Sequence, residues 1–254
     1  MTQNLAQLRD ALRTSHDRLV AVMGFPASPA ADAAAYPEEW NVSDVLSHLG
    51  SGAEIFGLIL TRLLAGEDAP TQDDFVAIWD KWNAKSPDEQ VRDGLNADED
   101  FVDLVDGIDS ALDKVPAFGS VWPLTEFLGM RLQEHIVHTW DVEVASNRYA
   151  TIPAEHLAFL LEQLPGIAPR SGREVKEAQK IVVRVVDPEA YLLVELGLVT
   201  AIESLENATN ADLTMSAEAF VRLVFGRLAA IRPSDVAPDD ERTASYLKSV
   251  FVGY

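Results

Sequence analysis

Arg131-Leu132-Gln133-Glu134-His135-Ile136-Val137-His138-Thr139-Trp140-Asp141-Val142 sets polar side chains at helical spacing inside an otherwise apolar segment. At about 100° per residue, Arg131, Glu134, His138 and Asp141 fall on one stripe with Leu124, Phe127, Val142 and Ala145, so the polar groups point inward. A buried charge is tolerated only when it is paired, hydrogen-bonded or bound to a metal, and Glu134 and His138, at i and i+4, can converge on one ion. A buried Glu134–His138 hydrogen bond satisfies the same spacing. Arg131 is placed to hold a substrate carboxylate or to orient Glu134, or else to form an i, i+3 pair with it. Asp141 either supports a ligand from behind or closes a helix salt bridge. His135 lies about 100° round from Glu134, and His16 and His156 fall outside the cluster.

A catalytic metal site needs a third protein ligand, and a facing helix can supply it. Trp40-Asn41-Val42-Ser43-Asp44 announces such a helix, capped by Asn41 and running to about Gly66. Its apolar stripe is Val45, Leu49, Gly52, Phe56, Ile59 and Leu63, and His48 lies at the edge of that stripe. With Glu134 and His138 it would complete a His2Glu set; alternatively Asp44 or a carbonyl satisfies His48.

Leu5, Leu8, Leu12, Leu19 and Val22 predict a helix over residues 4–23, and the Pro-containing 24–36 stretch a loop. Two helical patterns between Thr71 and Val115 are separated by Ser86-Pro87; the second sets Phe101, Leu104, Val105, Ile108 and Leu112 against Asp98, Glu99, Asp103, Asp106 and Asp113, read as a solvated face. Residues 116–120 read as a loop, and Pro123 opens the helix of the central stretch. Four main helices make an up-and-down bundle. After Tyr149 the pattern changes: a short helix over 154–163, a turn-rich 165–172 segment, strands at 181–186, 191–196, 199–205 and 213–215, a helix capped by Ser216 through Leu228, and a last helix over 244–251. The expected domains are residues 1–148, a helical bundle, and 149–254, an α+β unit.

The formal net charge of -21 repels phosphate backbones and anionic membranes, which excludes nucleic-acid binding and favours small-molecule partners. There is no cysteine, so any thiol chemistry must use a borrowed thiol. No apolar leader and no run of about 18 apolar residues is present, which makes the cytoplasm the default compartment.

The phrase Trp40 to Leu49, followed by Arg131-x-x-Glu134-x-x-x-His138-x-Trp140-Asp141, resembles the mycothiol-dependent maleylpyruvate isomerase family, a branch of the DinB-like four-helix metalloproteins. The resemblance implies that His48, Glu134 and His138 hold zinc or a similar divalent ion. It also implies a smaller C-terminal α/β, sterol-carrier-like domain, in which Phe225-Gly226-Arg227-Leu228 matches a Gly-Arg element and Arg227 is an active-site arginine. Mycothiol would be the co-substrate, with a small electrophilic or carboxylate substrate. Two activities fit that resemblance: isomerisation of maleylpyruvate and mycothiol S-transfer to electrophiles. A non-catalytic protein in which the metal pins two helices is the competing class.

Overall fold

Asn41 and Asp44 fix the start of the helix that carries His48. The Asn41 side chain accepts from the Asp44 N–H (2.9 Å) and the Asp44 carboxylate accepts from the Asn41 N–H (3.0 Å), a reciprocal cap. Asp44 is thereby committed to the helix start. In this computed structural model, which describes residues 4–24, 28–36, 39–109, 111–228, 235–237 and 240–253, the chain divides into two compact units, Met1–Ala150 and Thr151–Tyr254. The loop expected over 24–36 falls partly on residues 25–27, outside the described ones.

The first unit contains α1 (Leu5–Val22), α2 (Val42–Ala65), α3 (Gln72–Asn83), α4 (Pro87–Asp106), a hairpin of β1 (Lys114–Ala117) and β2 (Ser120–Pro123), and α5 (Leu124–Ser146). Helices α1 and α2 each pack against both α4 and α5, which makes a four-helix arrangement, and α3 lies on α2. Leu19, Val42, Val45, Leu46, Leu49 and Val142 form a core cluster, with Trp40 packed against it. Helices α2 and α4 approach closely: a Cβ on Gly94 would lie 2.6 Å from the Leu46 carbonyl oxygen. No described helix is long and apolar enough to cross a membrane.

The segment read as a loop at 116–120 is the tip of the antiparallel hairpin, with Ala117 paired to Ser120. Phe118 (φ 51°) and Gly119 (φ 76°) are both left-handed, as a two-residue hairpin turn requires. Four-residue strands that include Pro116 and Pro123 carry no alternation long enough to detect.

In the second unit, α6 (Ala154–Ser171) is followed by β3 (Gln179–Val186), β4 (Ala190–Leu196), β5 (Ala201–Ser204), β6 (Leu213–Ser216), α7 (Ala217–Val224) and α8 (Glu241–Val250). The sheet order is β5-β4-β3-β6, with β6 parallel to β3 and the other neighbours antiparallel. The turn-rich reading of 165–172 is corrected: α6 continues through Pro165 and Pro169. Leu157, Leu160, Leu164, Ile167 and Ala168 are buried at helical spacing, and that burial outweighs the two missing donors. Helix α7 stops at Val224, short of the expected Leu228, because Gly226 turns the chain at φ 72°.

Candidate metal centre

His48, on the second turn of α2, faces Glu134 and His138 on α5. Glu134 Oε2 lies 3.4 Å from His48 Nε2 and 3.4 Å from His138 Nε2, and the three ligand atoms fall within 4.8 Å of one another. A tetrahedral ion with bonds of about 2.1 Å spaces its donors about 3.4 Å apart, so the two pairings through Glu134 match the edges of such a shell. The donor set, two imidazoles and a carboxylate, suits a borderline divalent ion. Among the described residues this is the group of His, Asp and Glu able to hold one.

The imidazoles are held from behind. His138 Nδ1–H donates to Asp141 Oδ2 (2.9 Å), which leaves the Nε2 lone pair directed at the cluster. Trp40 stacks on the His138 ring at 5.9 Å and 15°, and tilts against His48 at 5.4 Å. The site is graded in exposure: the His138 side chain is 9% exposed, Glu134 32% and His48 40%, so one side is open. Burial opposes charge on Glu134, but the adjacent imidazoles of His138 and His48 outweigh it and hold its pKa well below the ordinary carboxylate value. His48 is pushed down, first by loss of hydration and then by the neighbouring His138, against the pull of Glu134.

Arg131 does not join this cluster. It is 2% exposed and donates to Asp98 Oδ1 (2.7 Å) and to the Leu49 carbonyl (2.9 Å), so the expected pairing with Glu134 or a substrate carboxylate is replaced by an internal ion pair. Asp98, read from sequence as part of a solvated face, is correspondingly buried. His16 Nδ1 lies 2.8 Å from Asp98 Oδ2, and His135 Nε2 lies 2.7 Å from the same oxygen. Burial pushes His135 down, and with its Nε2 toward the carboxylate the neutral ring accepts from Ser15 Oγ–H at Nδ1 (2.7 Å). His16, expected outside any cluster, is thus part of one. The signal was present: Asp98, Phe101, Val102 and Val105 recur at spacings of three, four and seven, and all four are buried.

Arg227 belongs to the second unit, where it is buried just after α7 and its Nη1 donates to the Phe225 carbonyl (2.7 Å). Trp140 is core, its indole N–H bonded to the Ala150 carbonyl (3.1 Å).

A family profile described as the mycothiol maleylpyruvate isomerase N-terminal domain matches residues 9–143, more than half of the chain, and that span contains all three members of the cluster. The chain belongs to this family. A crystal structure of the mycothiol-dependent maleylpyruvate isomerase is similar to this chain with a TM-score of 0.61 and 17% identity, over 92% of each chain. A crystal structure of a histidine-to-alanine mutant of that enzyme gives the same TM-score, identity and coverage. These likenesses establish a common fold across both units of this family member. No curated protein matches the chain in sequence.

Proposed function

We propose that the chain is a mycothiol-dependent metalloenzyme that isomerises a small electron-poor alkene of the maleylpyruvate type. The observation that carries the reading is the His48–Glu134–His138 cluster, with two donor pairs at 3.4 Å and one side open. A divalent ion held there, zinc or a close relative, supplies a Lewis acid that lowers the pKa of a thiol presented to it.

The residues divide the remaining work. His48 and His138 would offer neutral Nε2 donors and Glu134 a full negative charge, which leaves a shell of net charge about +1 for a dipositive ion and attracts a thiolate. Asp141 and Trp40 hold the rings so that little reorganises when the thiol arrives. The chain has no cysteine, so it offers no thiol of its own to compete. Arg227 is carried into the proposal by the Gly-Arg resemblance, as the cation that steadies negative charge developing on the substrate during thiol addition.

Metal content of the purified protein, paired with mycothiol titration of a cobalt-substituted sample, tests the reading. One ion per chain and a sulfur-to-cobalt absorption band support it, after which maleylpyruvate and generic electrophiles separate isomerisation from S-transfer. A protein that takes up no metal even after reconstitution overturns it.

A further inference from the structure

Beside the metal cluster, α3 and α4 build a cavity of about 400 Å³ against the start of α2. His48 and Trp40 stand in its wall, so it is continuous with the cluster. Its other aromatic residues are Trp79 and Trp82. Its charged residues are Glu39 and Asp44, and no lysine or arginine is among the described residues that line it. Asn83 and Gln90 add amides, and Ser47 and Ser51 hydroxyls.

Two of these residues are unusual for a wall that faces only water. Trp79 is 41% exposed at the rim. Trp82 is 1% exposed, yet its indole N–H is buried with no hydrogen-bond partner among the described residues. A buried donor left unmade is costly and calls for a partner. Lys85 is already engaged: it lies over the Trp82 ring at 4.3 Å and is paired with Asp93.

Indole faces suit the C–H faces of a saturated ring, and amides, hydroxyls and carboxylates suit a ring bearing many hydroxyl groups. Two carboxylates with no cation in the wall repel a dicarboxylate. We infer that this cavity binds the hydroxylated ring portion of the thiol co-substrate, and that the carboxylate substrate approaches the cluster from elsewhere. The inference rests on the mycothiol reading above. It adds that thiol selection is made by α3, through Trp79, Trp82 and Asn83, rather than by the metal cluster.

The test is calorimetric titration of the full, metal-loaded chain with three probes: mycothiol, its amino-sugar–inositol part lacking the cysteinyl thiol, and maleate. Trp79→Ala and Asn83→Ala are compared with the parent, both positions being exposed and outside the metal cluster. The expected result is that the thiol-free sugar–inositol binds and maleate does not displace it. Each substitution should weaken it by about tenfold with metal content and melting temperature unchanged, the loss expected for one stacking or hydrogen-bonding contact of about 1.4 kcal/mol.

If mycothiol binds but the thiol-free part does not, or if both variants bind it as tightly as the parent, the cavity assignment is overturned while the mycothiol reading stands. Binding of the sugar–inositol that both variants weaken, with no added affinity or cobalt–sulfur band from mycothiol, keeps the cavity assignment and removes the thiol reading. Binding of neither probe overturns both.

Discussion

His138 Nδ1 lies 2.9 Å from Oδ2 of Asp141, one turn further along α5, and the Asp141 side chain has no exposed surface. The carboxylate fixes which imidazole nitrogen carries the proton, and so which one faces Glu134. Asp141→Asn keeps the shape but replaces a charged acceptor by a neutral amide. Metal affinity should fall by about 10–100-fold, the usual effect of losing a ligand's supporting partner, read by competition with a chelator dye. Unchanged affinity would make Asp141 a partner in a helix salt bridge with His138 and nothing more.

His48 is the single member of the candidate metal cluster on α2, so His48→Ala leaves two donors on one helix. The ion should be lost or retained only at far higher concentration, with thiol-dependent turnover abolished. Arg227→Lys should keep the ion and lose turnover. Full activity of the His48 variant would remove the metal from the mechanism. A lowered melting temperature, with no thiol-dependent turnover found in the parent, would point to an ion that merely pins α2 to α5.

The Asp98 network should make stability depend on pH in a defined window. The pKa of His16 is raised above its ordinary 6.5, first by the hydrogen bond to Asp98, so its contribution is complete below about 6.5 and is lost as pH rises through the raised folded value. Burial opposes the charge on Asp98, but His135, His16 and Arg131 hold its pKa well below 3.8, so its contribution is present above 3.8 and is lost as pH falls through the depressed value. Asp98→Asn should cost about 3–5 kcal/mol, because the buried Arg131 charge loses its partner. The deficit in chemical denaturation should be greatest between those limits and shrink on the alkaline side. His16→Gln should remove only the alkaline dependence.

Trp82 fits against α2 because Gly50 has no side chain: a Cβ there would lie 2.2 Å from the indole Cη2. Gly50→Ala therefore gains helix propensity of about 1 kcal/mol but must displace a buried ring, an overpacking cost of about 1–3 kcal/mol. Net destabilisation, measured by thermal unfolding, is expected, together with a shift in tryptophan emission. A stabilised protein would mean that Trp82 moves freely.

The sequence was most readable where one periodicity dominated. The α2 cap and the α5 stripe follow from residue type and spacing, and the structure brings His48 to Glu134 and His138, where spacing alone left a metal set and a hydrogen-bonded pair both open. The partner of Arg131 is not legible in the sequence, because helical geometry reports which residues of α5 share a face but not that Asp98 of α4 stands opposite. Asp98 sits among neighbouring acids in sequence, yet it occupies the buried apolar register of Phe101 and Val105. The hairpin at 114–123 depends on two left-handed residues, and α6 passes two prolines because its buried stripe is long. Both are tertiary compensations for weak local signals.

The three residues of the candidate metal cluster stand on α2 and α5, whereas the far wall of the adjoining cavity is Trp79, Trp82 and Asn83 of α3 with Gln90 of α4. Chemistry and recognition are therefore written in separate stretches of the gene. The segment from Gln72 to Asn96 could be exchanged for that of a relative with a different thiol preference, provided Gly94 is kept for its contact with α2 and Asp98 beyond it still meets Arg131. On the proposed function, a change of thiol preference would need substitutions on α3 alone, leaving His48, Glu134 and His138 untouched.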